Sequence, residues 1–240
     1  MMIPKKIHYC WFGNGKMPLR EQRCIDSWKK FMPDFELVLW NESNFDVYAV
    51  PFTKEAYELK KYAFVSDYVR LFALVNEGGI YLDTDVEIIK PFYQFIKYQA
   101  FGSFETPNVV QTGVVGSVAN GVLVKKMFSY YQDKKFVLAD GSLNQVPNSK
   151  ILTDILLDEG LVLNNSQQSL PSFELFPTDY FCPINQATQE ITVTENTYCI
   201  HYLSGSWLPR KDRYTRALKV LLGKLVGFKS VHKFRTLFIK

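Results

Sequence analysis

The chain has 240 residues, 47% hydrophobic and 22% charged, a balance that fits one α/β domain with a sizeable core and excludes a chain disordered as a whole. Its formal net charge of +4 is unevenly spread, because residues 210–240 hold ten Lys/Arg against the single acid Asp212 and leave the preceding 209 residues net acidic. A basic end on an acidic body argues for contact with an anionic membrane surface and against a nucleic-acid target, which would spread basic residues over the fold.

Met1 to Lys6 lack the apolar core of a secretion signal, and no stretch reaches the ~20 apolar residues that cross a bilayer, so a cytoplasmic protein, soluble or peripheral on a membrane, is expected. Ile7 to Phe12 form a short apolar run closed by Gly13-Asn14-Gly15, Leu19 to Met32 read as a helix, and Phe35 to Trp40 form a second run closed by Asn41. Strand, helix, strand opens a parallel α/β sheet. Cys10, Cys24, Cys182 and Cys199 show neither CxxC pairing nor the density of a disulfide scaffold and read as reduced packing residues.

From Thr53 to Glu77, Leu59, Tyr62, Val65, Val69, Phe72 and Val75 recur at three- and four-residue steps, which predicts one helix ended by Gly78-Gly79. Ile80-Tyr81-Leu82 then begin a strand that delivers Asp83-Thr84-Asp85 at its carboxyl end, where the crevice of an open α/β sheet binds ligands. Beyond Pro91 follow a short helix, strands near 100–104 and 113–118, and helices near 121–131 and 150–159. Residues 166–189 are polar and rich in Pro, Ser, Asn and Gln, which suggests a loop covering a site, before a strand from Thr197 to Tyr202. From Lys211 onward, Leu218, Leu221, Leu222, Leu225, Val226 and Phe228 lie among lysines, either a membrane-surface helix or one packed on the domain. The division expected is 1–209 for the domain and 210–240 for a basic amphipathic tail.

Two aspartates one residue apart suit Mg²⁺ or Mn²⁺, which takes few protein carboxylates and fills its shell with phosphate oxygens and water. Such an ion stabilises a diphosphate leaving group without proton transfer, the requirement for moving a sugar from a nucleoside diphosphate. Two residues apart at strand spacing, the carboxylates share one face, and the turn after Leu82 must aim them, Asp85 to the metal and Asp83 towards the ribose or sugar. A DxD triplet arises by chance in many chains; its place after Gly-Gly-Ile-Tyr-Leu gives this one weight.

Asp67 and Arg70 lie three residues apart on one helix face, either as a structural ion pair or as a grip on donor-sugar hydroxyls and phosphate. His201, before a small polar turn, is either a satisfied structural residue or a metal ligand; Ser206 in that turn could donate to a phosphate, and Trp207 caps it. Trp11 offers a ring to a nucleotide base or to the core.

These segments together resemble glycosyltransferase family 32, the DXD sugar-binding-region family that includes capsular-polysaccharide sugar transferases, yeast-type mannosyltransferases and, more distantly, clostridial glucosylating toxins. The resemblance runs through Ile3 to Gly13, the SDxxR helix of Ser66 to Arg70, Gly78-Gly79-Ile80-Tyr81-Leu82-Asp83-Thr84-Asp85, and the closing His201 to Trp207, with Tyr202 where relatives often carry a second His. It implies a GT-A-type fold, an α/β arrangement of one mixed sheet flanked by helices, and a retaining hexosyltransferase using Mn²⁺ or Mg²⁺ and a nucleotide-sugar donor, UDP-linked by expectation. The implied roles are Trp11 for the base, Asp67 and Arg70 for the donor sugar, Asp83 for ribose or sugar and the metal shell, Asp85 for the metal with His201 completing its shell, and Ser206 and Trp207 for the departing phosphate. Asp67, Arg70 and Asp85 are the catalytic candidates.

The acceptor expected is a saccharide or lipid-linked oligosaccharide in polysaccharide assembly at the inner face of a bacterial membrane. The rivals are a non-catalytic carbohydrate- or partner-binding module, a toxin-like protein glycosyltransferase, and a metal-dependent hydrolase, for which no further cluster of acidic or His ligands is found.

Overall fold

The computed structural model describes residues 2–205 together with Thr215 and Val220. The chain opens as its apolar runs predict. Strand β1 (Lys6–Cys10), helix α1 (Leu19–Phe31) and strand β2 (Glu36–Trp40) form a parallel β-α-β unit, with Lys6 opposite Glu36 and Cys10 opposite Trp40. Helix α1 carries Glu21 in its first turn and Lys29 and Lys30 in its last, complementing the helix dipole.

The segment expected as one helix forms two, α2 (Pro51–Glu58) and α3 (Tyr62–Glu77). Lys60 adopts φ 56° between them, and Leu59, counted in the apolar stripe, is exposed. The break turns α2 so that Phe52 meets Tyr131 and Phe136 edge-on. Helix α3 is buried on nearly all sides, Asp67 and Arg70 included.

Strand β3 (Gly79–Leu82) follows directly. Gly79 sits at φ 114°, where a Cβ would lie 2.9 Å from the Lys6 carbonyl, so the close approach of β3 to β1 requires glycine. Next come β4 (Val86–Ile88), a 3-10 turn at Tyr93–Phe95, β5 (Ala100–Thr106), β6 (Val109–Ser117), α4 (Val122–Ser129) and α5 (Asn148–Asp158).

The polar stretch expected as a covering loop instead supplies β7 (Gln168–Ser169), β8 (Glu174–Phe176) and α6 (Thr178–Phe181), followed by β9 (Cys199–His201). Its scattered apolar residues Phe173, Leu175, Phe176 and Phe181 are buried, and β8 extends the sheet beside β5. Few but well-spaced hydrophobic residues outweigh the polar composition here.

Among the described residues the strands form a seven-stranded mixed sheet, ordered β2-β1-β3-β6-β5-β8-β7, and a two-stranded sheet of β4 and β9. One hydrophobic layer packs α3, α4 and α5 against the sheet through residues such as Val65, Val69, Leu123 and Leu152; the other packs α1, β4 and α6 through Trp28, Ile88 and Phe181. The Trp28 indole donates to the Val86 carbonyl at 2.7 Å and Ser27 Oγ accepts from Ile88 N at 2.9 Å, which fixes β4 on α1. All four cysteines are free and buried. No helix among the described residues is long and apolar enough to cross a membrane.

Candidate active site

Leu82 ends β3, and the next residues turn. Asp83 N donates to Gly113 O at 2.8 Å and Val86 N returns to Asp83 O at 3.0 Å, so both aspartates project from a closed turn. The strand that follows, β4, pairs antiparallel with β9 and sets Val86 opposite His201. A residue 116 positions after Asp85 thereby reaches it: His201 Nε2 lies 3.4 Å from Asp85 Oδ1 and 3.7 Å from Asp83 Oδ2. Neighbouring residues on a strand point to opposite faces, and Tyr202 turns away to Glu87. A second His at that position would therefore miss the group.

Asp83, Asp85 and His201 each offer a ligand atom within 4.8 Å of the other two. Two carboxylates and an imidazole are a donor set that can hold a divalent cation. The floor is cut to match. A Cβ on Gly113 would stand 2.3 Å from His201 Cε1 and 2.8 Å from Asp83 Oδ2, so any side chain there would displace the group.

Charge is balanced tightly around these residues. Burial alone would raise the Asp85 carboxyl, yet the adjacent His201 imidazolium and the Ser204 N–H at 2.7 Å hold it well below the usual carboxylate range. Burial opposes a charge on His201 in turn, and Asp85 overrides it and lifts the imidazole well above its ordinary value. Asp85 and His201 thus form an ion pair.

Beside them Arg70 reaches out of α3 across the carboxyl end of β3. One amino group donates to Thr112 O at 2.6 Å; the other lies 3.1 Å from Asp67 Oδ1 and 3.2 Å from Asp83 Oδ1. The guanidinium stacks 4.4 Å over the Tyr81 ring, whose hydroxyl donates to Asp83 Oδ1 at 3.2 Å. Burial pushes the Asp67 carboxyl up to about 6 despite Arg70. The ion-pair reading of this pair is present as an i,i+3 contact, and Arg70 also steadies Asp83 of the DxD turn.

Trp11 follows β1, which is parallel to β3, so it stands at the same sheet edge as the aspartates. Its indole N–H is taken by Gly15 O at 2.6 Å, and the loop is held by Glu42, which accepts from Gly13 N at 2.6 Å and from the Tyr57 hydroxyl at 2.9 Å. Ser206, Trp207 and, apart from Thr215 and Val220, the tail from residue 210 lie outside the described residues.

Several site residues are absent from the sequence reading. Tyr81, Thr112, Gly113 and Gln111 touch the group directly, and Asn148 donates to the Asp67 carbonyl at 2.7 Å. Tyr81 stood in the GGIYLDTD string and its spacing from Asp83 places both on one strand face. No local pattern marks the others.

Residues 18–102 match the family model described as glycosyltransferase sugar-binding region containing DXD motif. This segment resembles the DXD glycosyltransferases. It holds Asp67, Arg70, Asp83 and Asp85, while Trp11 and His201 fall outside it.

Among curated proteins, the chain is 28% identical over 132 residues to subversion of eukaryotic traffic protein A of Legionella pneumophila subsp. pneumophila, covering 44% of this chain and 20% of that protein. It is 31% identical over 121 residues to inositol phosphoceramide mannosyltransferase 3 of Schizosaccharomyces pombe, covering 48% and 33%. The chain thus spans about a fifth to a third of the length of the curated relatives it matches.

Two solved structures share the fold, each with a TM-score of 0.50: the PaToxG glycosyltransferase, at 19% identity over 66% of this chain and 70% of that one, and a glycosyltransferase involved in glycosylation of the major capsid of PBCV-1, at 12% identity over 88% and 98%. The expected GT-A-type α/β fold, a mixed sheet flanked by helices, is borne out.

Proposed function

We propose that the chain is a metal-dependent, retaining hexosyltransferase that moves a sugar from a nucleotide diphosphate, UDP by preference, to a saccharide or lipid-linked saccharide in polysaccharide assembly. The observation that carries this reading is the meeting of Asp83, Asp85 and His201 at the carboxyl end of β3, next to the buried Asp67–Arg70 pair. In it, Asp83, Asp85 and His201 hold Mn²⁺ or Mg²⁺. The bound ion supplies charge stabilisation to a departing diphosphate.

The chain's own residues do the remainder. Arg70 is fixed by Thr112 and two carboxylates, so its fork is oriented before any donor arrives and spends no further side-chain entropy on binding. Asp67 and Arg70 take the donor sugar, and Asp83 orients the ribose or sugar. Because the Trp11 N–H is already satisfied within its loop, the ring presents an apolar plate suited to a base. Ser206 and Trp207 keep their proposed place at the phosphate. No residue is assigned as a catalytic base.

The test is a panel of UDP- and GDP-sugars, mannosyl donors included because one relative is named a mannosyltransferase, assayed for binding and slow hydrolysis with and without Mn²⁺. One donor is expected to respond only with metal. If none responds, a non-catalytic carbohydrate-binding module replaces the transferase.

Residues 210–240 are proposed as a separate basic tail that brings the domain to an anionic membrane and its lipid-linked acceptor, supported by their ten Lys/Arg. Sedimentation with anionic liposomes is expected to be lost when residues after Trp207 are deleted. Unchanged sedimentation would rule this out.

A further inference from the structure

Behind His201 lies a chain of three fully buried polar groups with a single consistent direction. The Phe104 carbonyl can only accept, and Ser103 Oγ donates to it at 3.0 Å. Having given its one proton, Ser103 Oγ is an acceptor, and Gln111 Nε2 donates to it at 2.7 Å. The Gln111 amide is thereby turned so that Oε1 faces His201 Nδ1 at 2.9 Å. An amide oxygen cannot donate, so Nδ1 carries a proton and Nε2 is the atom left facing Asp83 and Asp85.

We propose that Gln111, oriented by Ser103, is a positioning residue that fixes the His201 tautomer and so presents the Nε2 lone pair as the third metal ligand. The inference rests on the metal reading above. It reaches beyond it by assigning a residue that touches neither donor nor ion. Gln111 and Gly113 are two apart on β6 and share a face, so one strand both clears the space for the imidazole and sets its proton. Without Gln111 the ring has a better alternative, since an Nε2–H could donate to Asp83 or Asp85. In the neutral ring the relay removes that option, as groups outside the ligand set commonly do for histidine sites.

Two readouts other than turnover test this. In metal-free protein at alkaline pH, long-range ¹H–¹⁵N NMR of labelled histidine, assigned with His201→Asn, is expected to show the Nδ1–H tautomer, and Gln111→Met is expected to shift it towards Nε2–H. Titration with Mn²⁺ alone should find affinity lowered by about 10- to 100-fold in Gln111→Met. Gln111→Glu, which still accepts from Nδ1, should stay within a few-fold of the parent.

Should Gln111→Met fail to fold, Ser103→Ala takes its place, because it frees the amide to flip and is expected to give mixed tautomers. An Nε2–H tautomer in the parent, or undiminished Mn²⁺ affinity in a folded Gln111→Met, overturns the inference. If the parent itself binds no Mn²⁺ in a manner that depends on Asp85, the metal reading fails instead, and with it the role of Gln111 in ligation.

Discussion

Asp85→Ala is expected to lower metal-dependent donor hydrolysis and transfer by about 10²- to 10³-fold, the loss typical of removing one preorganised group that stabilises developing charge. Asp85 has both oxygens engaged, Oδ1 facing His201 at 3.4 Å and Oδ2 accepting from Ser204 N at 2.7 Å. Its position is held by backbone contacts that the substitution leaves alone, since Tyr202 N donates to the Asp85 carbonyl at 3.1 Å. The variant should therefore fold, with an unchanged circular dichroism spectrum, while Mn²⁺ titration shows weakened binding. Asp85→Asn separates charge from shape. It can still accept from Ser204 but lacks the negative charge, and it is expected to fall as far as alanine. Residual turnover above about a tenth of the parent in either variant would remove Asp85 from the metal site, and raised Mn²⁺ concentration should not restore activity.

Much of this site could be read from the sequence because its parts lie on a single stretch. Gly78-Gly79 ended a helix, Ile80 to Leu82 had to be a buried strand, and Asp83 and Asp85 then had to emerge at the sheet's ligand-binding edge. The turn that carries them is closed by the bond from Val86 N to Asp83 O. His201 could be suspected but not placed, because it reaches the group through the pairing of β9 with β4, a contact set by two three-residue strands with no periodicity of their own. Gln111, Thr112 and Gly113 were invisible for a related reason: they lie in a long apolar strand and act through register with β3 and β5. The break at Lys60 was missed because the apolar steps continue across it, and composition misled over residues 166–189, where five buried aromatic and aliphatic side chains outweigh many exposed polar ones.

Arg70→Met is expected to destabilise the fold by about 3–5 kcal/mol, the cost of leaving buried charge uncompensated. Two carboxylates, Asp67 and Asp83, lose their shared cation, and Thr112 O loses its donor. Asp67→Asn should behave in the opposite way. Its carboxyl is raised from 3.8 to about 6 in the fold, because burial outweighs the pull of Arg70. The native state thus takes up a proton more readily than the unfolded chain, so this group's destabilisation is absent below about pH 4, grows as pH rises through 6 and is complete above it. At pH 7 the amide removes that term, and Asp67→Asn is expected to match or exceed the parent in urea denaturation while losing transfer activity, the trade expected of a charge kept for function. The gain over the parent should shrink when the denaturation is repeated at pH 4.5. In the double variant, Asp67→Asn should recover part of the Arg70→Met loss, since one of the two stranded charges is gone. A fully additive double variant would mean that Arg70 is held by Asp83 and Thr112 alone, and that the i,i+3 pair contributes nothing to the fold.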